Sequence, residues 1–165
     1  MNPGNYGFSK PPMKQQFITP PRWMNCKLID ASTLTERVPA NVYQVGIAVF
    51  GAGGNGVTTG NRTGGGGGGF AFGVLDVEPG QLLPPITIGG ASSTTSVGTL
   101  LTATGGVIGS SGGAGGTGAA AATLRDVVTN NGGVGKDYGG GGAAGSFYGA
   151  GGDGGASSVS VSYGG

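Results

Sequence analysis

Val45-Gly-Ile-Ala-Val-Phe-Gly-Ala-Gly-Gly54, the six glycines Gly64 to Gly69, Phe70-Ala-Phe-Gly-Val-Leu-Asp-Val-Glu-Pro-Gly80 and Ile86-Thr-Ile-Gly-Gly90 decide how this chain reads. They are β-type segments spaced by glycine tracts that no ordinary helix or strand tolerates. From Val42 to Phe50, Tyr43, Val45, Ile47 and Val49 share one face, with mostly small or polar residues opposite, which predicts a strand. Phe70 to Val77 is apolar on both faces, as in a strand inside a sandwich. Glu78-Pro79-Gly80-Gln81 is a turn: proline presets its first corner and glycine supplies the positive φ of the second. Leu82 to Ile88 reads as a further strand, interrupted at Pro84-Pro85 as an edge or a bulge would be. Ser96 to Thr104 gives another, and the alternation over 157–163 puts Val159, Val161 and Tyr163 on one face of a closing strand.

Glycine makes up 42 of the 165 residues and charged residues only 9%, a balance often found in disordered chains. Here 36% of residues are hydrophobic and clustered, which favours one folded domain. Collagen needs glycine at every third position, and stretches such as Gly112-Gly-Ala-Gly-Gly-Thr-Gly118 break that register. Flexible linker is the plain alternative, but linkers seldom recur four times in a small domain. The reading adopted is packed glycine helices of the polyproline II type. These lack internal hydrogen bonds, so their N–H and C=O groups must pair with neighbours. Gly64, Gly65, Gly66, Gly67, Gly68 and Gly69 are then expected to be ordered and buried against other glycine segments.

Residues 1–41 read as an extended arm ahead of a domain at 42–165. Pro3, Pro11, Pro12, Pro20, Pro21 and Pro39 forbid a long helix. Large apolar side chains on a proline-stiffened segment suit docking on another protein, so Tyr6, Phe8, Phe17 and Trp23 are the expected anchors. A loose tail, or a strap over its own domain, is the alternative. A polar turn or one-turn helix is expected around Asp30 to Glu36, and Cys26, the only cysteine, as a small buried hydrophobe. The arm is mildly basic. The net charge of +1 argues against general attraction to nucleic acid or an anionic membrane. No apolar run suggests a membrane span or a signal peptide, so synthesis in a cytoplasm without export by that route is expected.

Catalytic motifs fail on inspection. Gly51-Ala-Gly-Gly-Asn-Gly56, with Asp76 further on, matches the dinucleotide fingerprint, but the glycines that follow cannot form the helix the pyrophosphate needs. Gly135-Lys136 resembles a phosphate loop, yet Asn130 replaces its first glycine and Asp137 its magnesium-binding hydroxyl. Histidine is absent, which removes Ser-His-Asp and Cys-His pairs, and with a single cysteine the usual zinc sets are removed as well. Asp76, Glu78, Asp126, Asp137 and Asp153 are scattered, and the sequon Asn61-Arg62-Thr63 has no secretory route. The expectation is no enzyme, no cofactor and no metal. Tyr138, Phe147 and Tyr148, which interrupt late glycine tracts, are the candidate receptor contacts; the alternative is that Phe147 and Tyr148 cap the core.

Taken together, the opening motifs, Ser96-Val-Gly-Thr-Leu-Leu-Thr-Ala-Thr-Gly-Gly106, the tract Gly139 to Gly142 and Val159-Ser-Val-Ser-Tyr163 resemble the glycine-rich domain of bacteriophage tail-fibre and other virion proteins. They are also similar to the glycine-rich region of some animal receptor tyrosine kinases. The resemblance covers about residues 42–165. It implies an all-β fold, a jelly-roll-like sandwich carrying polyglycine II-type tracts. It also implies a non-enzymatic virion protein, a short tail fibre, spike or adhesin; residues 1–41, which the resemblance does not cover, are expected from their own composition to anchor it to other virion proteins. Such a protein is expected to be a homo-oligomer, with a trimer favoured, and to contact a host surface receptor. A capsid decoration or head-fibre protein is the second expectation, and an ice-binding or surface matrix protein the third.

Overall fold

The computed structural model describes residues 26–32, 35–58, 63–109 and 112–155. The anchors Tyr6, Phe8, Phe17 and Trp23 and the closing strand at 157–163 lie outside these residues. The described fold is all-β, two antiparallel sheets with no helix. Its strands are β1 (Gln44–Phe50), β2 (Phe70–Asp76), β3 (Ile86–Thr87), β4 (Thr95–Val97), β5 (Leu101–Ala103), β6 (Gly118–Ala120) and β7 (Arg125–Asn130). One sheet has the order β1-β2-β7, the other β3-β4-β5-β6.

Alternation along β1 and β2 sets the core. The pair runs in register from Gln44 opposite Asp76 to Phe50 opposite Phe70, which places Val49 against Ala71. Val49 and Ala71 from the first sheet meet Ile86, Val97, Leu101 and Ala103 from the second, with Leu124 at the rim. Ile47 and Leu75 pack against this cluster from the same face of the first sheet. Leu101 and Ala103 are fully buried. Burial of a side chain the size of leucine contributes about 1.5–3 kcal/mol. The exposed Arg125–Asp76 ion pair beside this core adds little.

The expected turn at 78–81 is present: Gln81 N–H bonds the Glu78 carbonyl at 3.0 Å, and Gly80 has φ 82°. Other elements differ from the sequence reading. Ser96 to Thr104 is a hairpin, β4 and β5, because Gly98 adopts φ 49° and Leu100 N–H turns back to the Val97 carbonyl. The strand expected over Leu82 to Ile88 shortens to β3 plus a single bridge at Leu82, since Pro84 and Pro85 carry no N–H for a ladder. Strands β6 and β7 carry no apolar alternation that announces them.

The chain ahead of β1 is extended, with no helical turn among its described residues. Leu83 N–H bonds the Glu36 carbonyl and Val38 N–H the Gln81 carbonyl, both at 2.8 Å. Ile88 N–H donates to the Ser32 hydroxyl at 2.9 Å, so Ser32 and residues 35–38 line up antiparallel to 81–88. Cys26 is exposed, contrary to expectation, because it precedes this pairing and no packed face covers it.

Leu101→Ala is expected to destabilise the domain by about 2–5 kcal/mol, read from denaturant unfolding. A smaller loss would mean that the two sheets do not close on this residue.

Candidate functional site

An extended glycine chain cannot satisfy its own backbone, so its neighbours must. Residues 63–69 do this at the centre of the glycine tracts. Along Gly64 to Gly69 the six carbonyls accept, in order, from the N–H groups of Gly113, Gly142, Gly54, Gly116, Gly145 and Gly51, at 2.7–2.9 Å. The donor segment repeats every third residue: 112–117, then 139–145, then 51–57. In the other sense, Gly64 and Gly67 donate to the carbonyls of Lys136 and Gly133, while Gly66 and Gly69 donate to Val107 and Thr104. Five segments thus enclose one, and Thr63 to Gly69 are all buried.

Side chains would break this arrangement from every side. A Cβ on Gly66, Gly67 or Gly68 would lie 1.9, 1.9 or 1.8 Å from the carbonyl oxygens of Ala114, Ala143 and Gly51. The outer segments are bound in turn to one another. Gly132 and Gly135 donate to Gly116 and Gly113, Gly133 to Ala143, and Ala143 to Gly152. The β1–β2 register runs unbroken into this lattice: beyond Phe50 opposite Phe70, Gly51 bonds Gly69, Gly54 bonds Gly66 and Val57 bridges Thr63.

The end far from the sheets is tied by two polar contacts. The buried Thr63 hydroxyl donates to the Gly109 carbonyl at 2.5 Å, while Thr63 also bridges to Val57 and Asp137. Asp153 accepts the Val134 N–H at 2.8 Å and faces Lys136 at 3.6 Å. The Val134 bond holds the Asp153 carboxyl below its usual value of 3.8; burial opposes it, and the Lys136 charge and hydrogen bond add to the lowering.

Near the sheets, aromatic rings collect on the outer face of β1 and β2. Phe50 and Phe70 stand 4.9 Å apart between centroids, and Phe147 meets Phe72 edge-on at 5.2 Å. Tyr148 meets Phe147 at 5.9 Å. Phe70 is sealed, Phe50 and Phe147 are about half exposed, and Tyr148 is 97% exposed. Their loop is pinned by Ser146 N–H to the Gly149 carbonyl at 2.9 Å and by Asn130 Nδ2 to the Ser146 carbonyl at 2.7 Å.

Of the three expected contact residues, Phe147 and Tyr148 therefore sit together, with Phe147 also packed on sheet residues. Tyr138 lies at the far end of the lattice in a left-handed conformation, φ 47°. The tract 139–145 lies between the two sites in the chain. Sequence reasoning missed Phe50 and Phe72 as members of the patch; the β1–β2 register, extrapolated from the glycines, was the signal for them. Among the described residues no group of acidic or cysteine side chains is placed to hold a metal ion. No protein family, curated protein or solved structure matched the chain in comparison searches.

Gly67→Ala is expected to cost at least about 2–3 kcal/mol, because only backbone lies in the way of the new methyl. Gly152→Ala, where nothing lies within 4 Å, should be neutral or slightly stabilising. Equal melting temperatures for the two variants would contradict the packed tract. Asp153 supplies a pH test. Its depressed folded pKa gives stability that is present above the unfolded value and lost as pH falls through the folded one. Acid titration should therefore destabilise the wild type more steeply than Asp153→Asn below about pH 4.

Proposed function

We propose that this chain is a non-enzymatic structural protein of a bacteriophage particle, a short tail fibre, spike or adhesin. The observation that carries this reading is the glycine lattice. A central segment held from five sides by backbone bonds makes a stiff, nearly side-chain-free projection continuous with the β1–β2 hairpin. The three-residue repeat of those bonds supports polyglycine II-type packing, and two sheets sharing one core support a jelly-roll-like sandwich. Residues 1–41 act as the docking arm towards other virion proteins, and Ser32, Glu36 and Val38 hold the arm's base to the domain.

Attachment to the host is assigned to Tyr148, with Phe147 as its support. A rigidly held loop presenting an exposed aromatic ring gives contact area at low entropic cost. The Phe147 ring, edge-on to Phe70 and Phe72, positions that contact and contributes to stability.

Two measurements test the proposal. Deleting residues 1–25 should leave the domain's melting temperature unchanged and abolish incorporation into particles. Purified protein should block adsorption to cells, and Tyr148→Ala should lose that blocking without loss of stability. Phe147→Ala should lose both. Blocking by neither protein, together with protein mapped to the capsid in intact particles, would replace the fibre with a shell-decoration role.

A further inference from the structure

Strand β1 is the edge of its sheet, and its register shows which backbone groups it leaves over. Gly51 N–H bonds the Gly69 carbonyl and Val77 N–H the Tyr43 carbonyl, both at 2.9 Å, in line with the β1–β2 ladder. Residues alternate in such a ladder. Tyr43, Val45, Ile47, Val49 and Gly51 therefore turn their backbone groups towards β2, and Gln44, Gly46, Ala48 and Phe50 turn theirs outwards. Those four are the exposed residues of the strand. Among the described residues β1 pairs with no strand except β2.

Exposed edges are usually blunted by charge, proline, irregularity or brevity. The other edges here are. Strand β7 begins at Arg125-Asp126 and shifts register against β2, β3 has two residues behind Pro84-Pro85, and β6 has three. Strand β1 has seven residues, no charge, no proline and an unbroken ladder. It is also self-complementary. Antiparallel pairing about Ile47 sets Gln44 opposite Phe50 and Gly46 opposite Ala48, so outward groups meet outward groups, and the central residues are small.

We propose that β1 pairs antiparallel with β1 of a second copy about a twofold axis at Ile47, joining two three-stranded sheets into one of six. Each Gln44 then lies beside the partner copy's Phe50, covering part of a ring that is 54% exposed in the single chain. This pairing is independent of the virion role.

Sedimentation of the full chain at about 1–100 µM should give a species of twice the 15.7 kDa chain mass. Ala48→Pro removes one outward N–H and spares the β2 ladder, while Ala48→Lys adds charge at the edge; both should be monomers, weakened in association at least about tenfold. Hydrogen exchange should show the amides of Gln44, Gly46, Ala48 and Phe50 protected in the dimer and open in Ala48→Lys, with Val45, Ile47 and Val49 protected in both. A monomeric or trimeric wild type, or a dimer that survives both substitutions, overturns the pairing. Protection of the four outward amides in a monomer also overturns it, because the chain would then be covering its own edge.

Discussion

A backbone without side chains has one means of being stable inside a protein, which is to place every donor and acceptor against another backbone. Residues 64–69 approach that condition with all six carbonyls and the N–H groups of Gly64, Gly66, Gly67 and Gly69. Their carbonyls point in turn to three different segments, and their donors reach two more. The tract is buried without contributing an apolar side chain to any core. The glycines of the surrounding segments follow from the same condition, because a methyl on one segment would occupy a carbonyl position on the next. The glycine content is thus the packing solution of this part of the molecule, as leucine and valine are for the space between the sheets.

The two halves of the structure are not independent. The hairpin of β1 and β2 carries one register from the apolar core into the lattice, so Val49 against Ala71 and Gly54 against Gly66 belong to a single alignment. A slip by one residue would turn Val49 out of the core and also misdirect the carbonyls of the tract. The two sheets are small, and the lattice gives the β1–β2 pair further bonds beyond its end. At the far end, the side chains of Thr63 and Asp153 close what the repeating backbone pattern leaves open.

Much of the sheet was legible because alternation is a local signal: β1, β2 and the turn at 78–81 follow from residues within a few positions of one another. What failed was decided by conformation or by distant partners. Gly98 reads as one more small residue in a Thr- and Leu-rich run, yet its positive φ makes two strands of one. Strands β6 and β7 are held by their neighbours and not by a pattern of their own; Gly-Ala-Ala has nothing to alternate. The aromatic patch was half visible. Phe147 and Tyr148 stand out among glycines, but Phe50 and Phe72 join them only through pairing across the hairpin. Tyr138 seemed equivalent to them in sequence and is not, because the direction of the tract at 139–145 carries it to the opposite end.

The balance between the two kinds of packing bears on how the protein responds to temperature. Exposing apolar surface on unfolding raises the heat capacity and exposing peptide groups lowers it. A lattice whose interior is almost entirely peptide surface shifts that balance downwards compared with a sandwich core of the same size. The stability curve of the whole chain is then broader and shallower than its length suggests, and less eroded on cooling, when the hydrophobic contribution weakens.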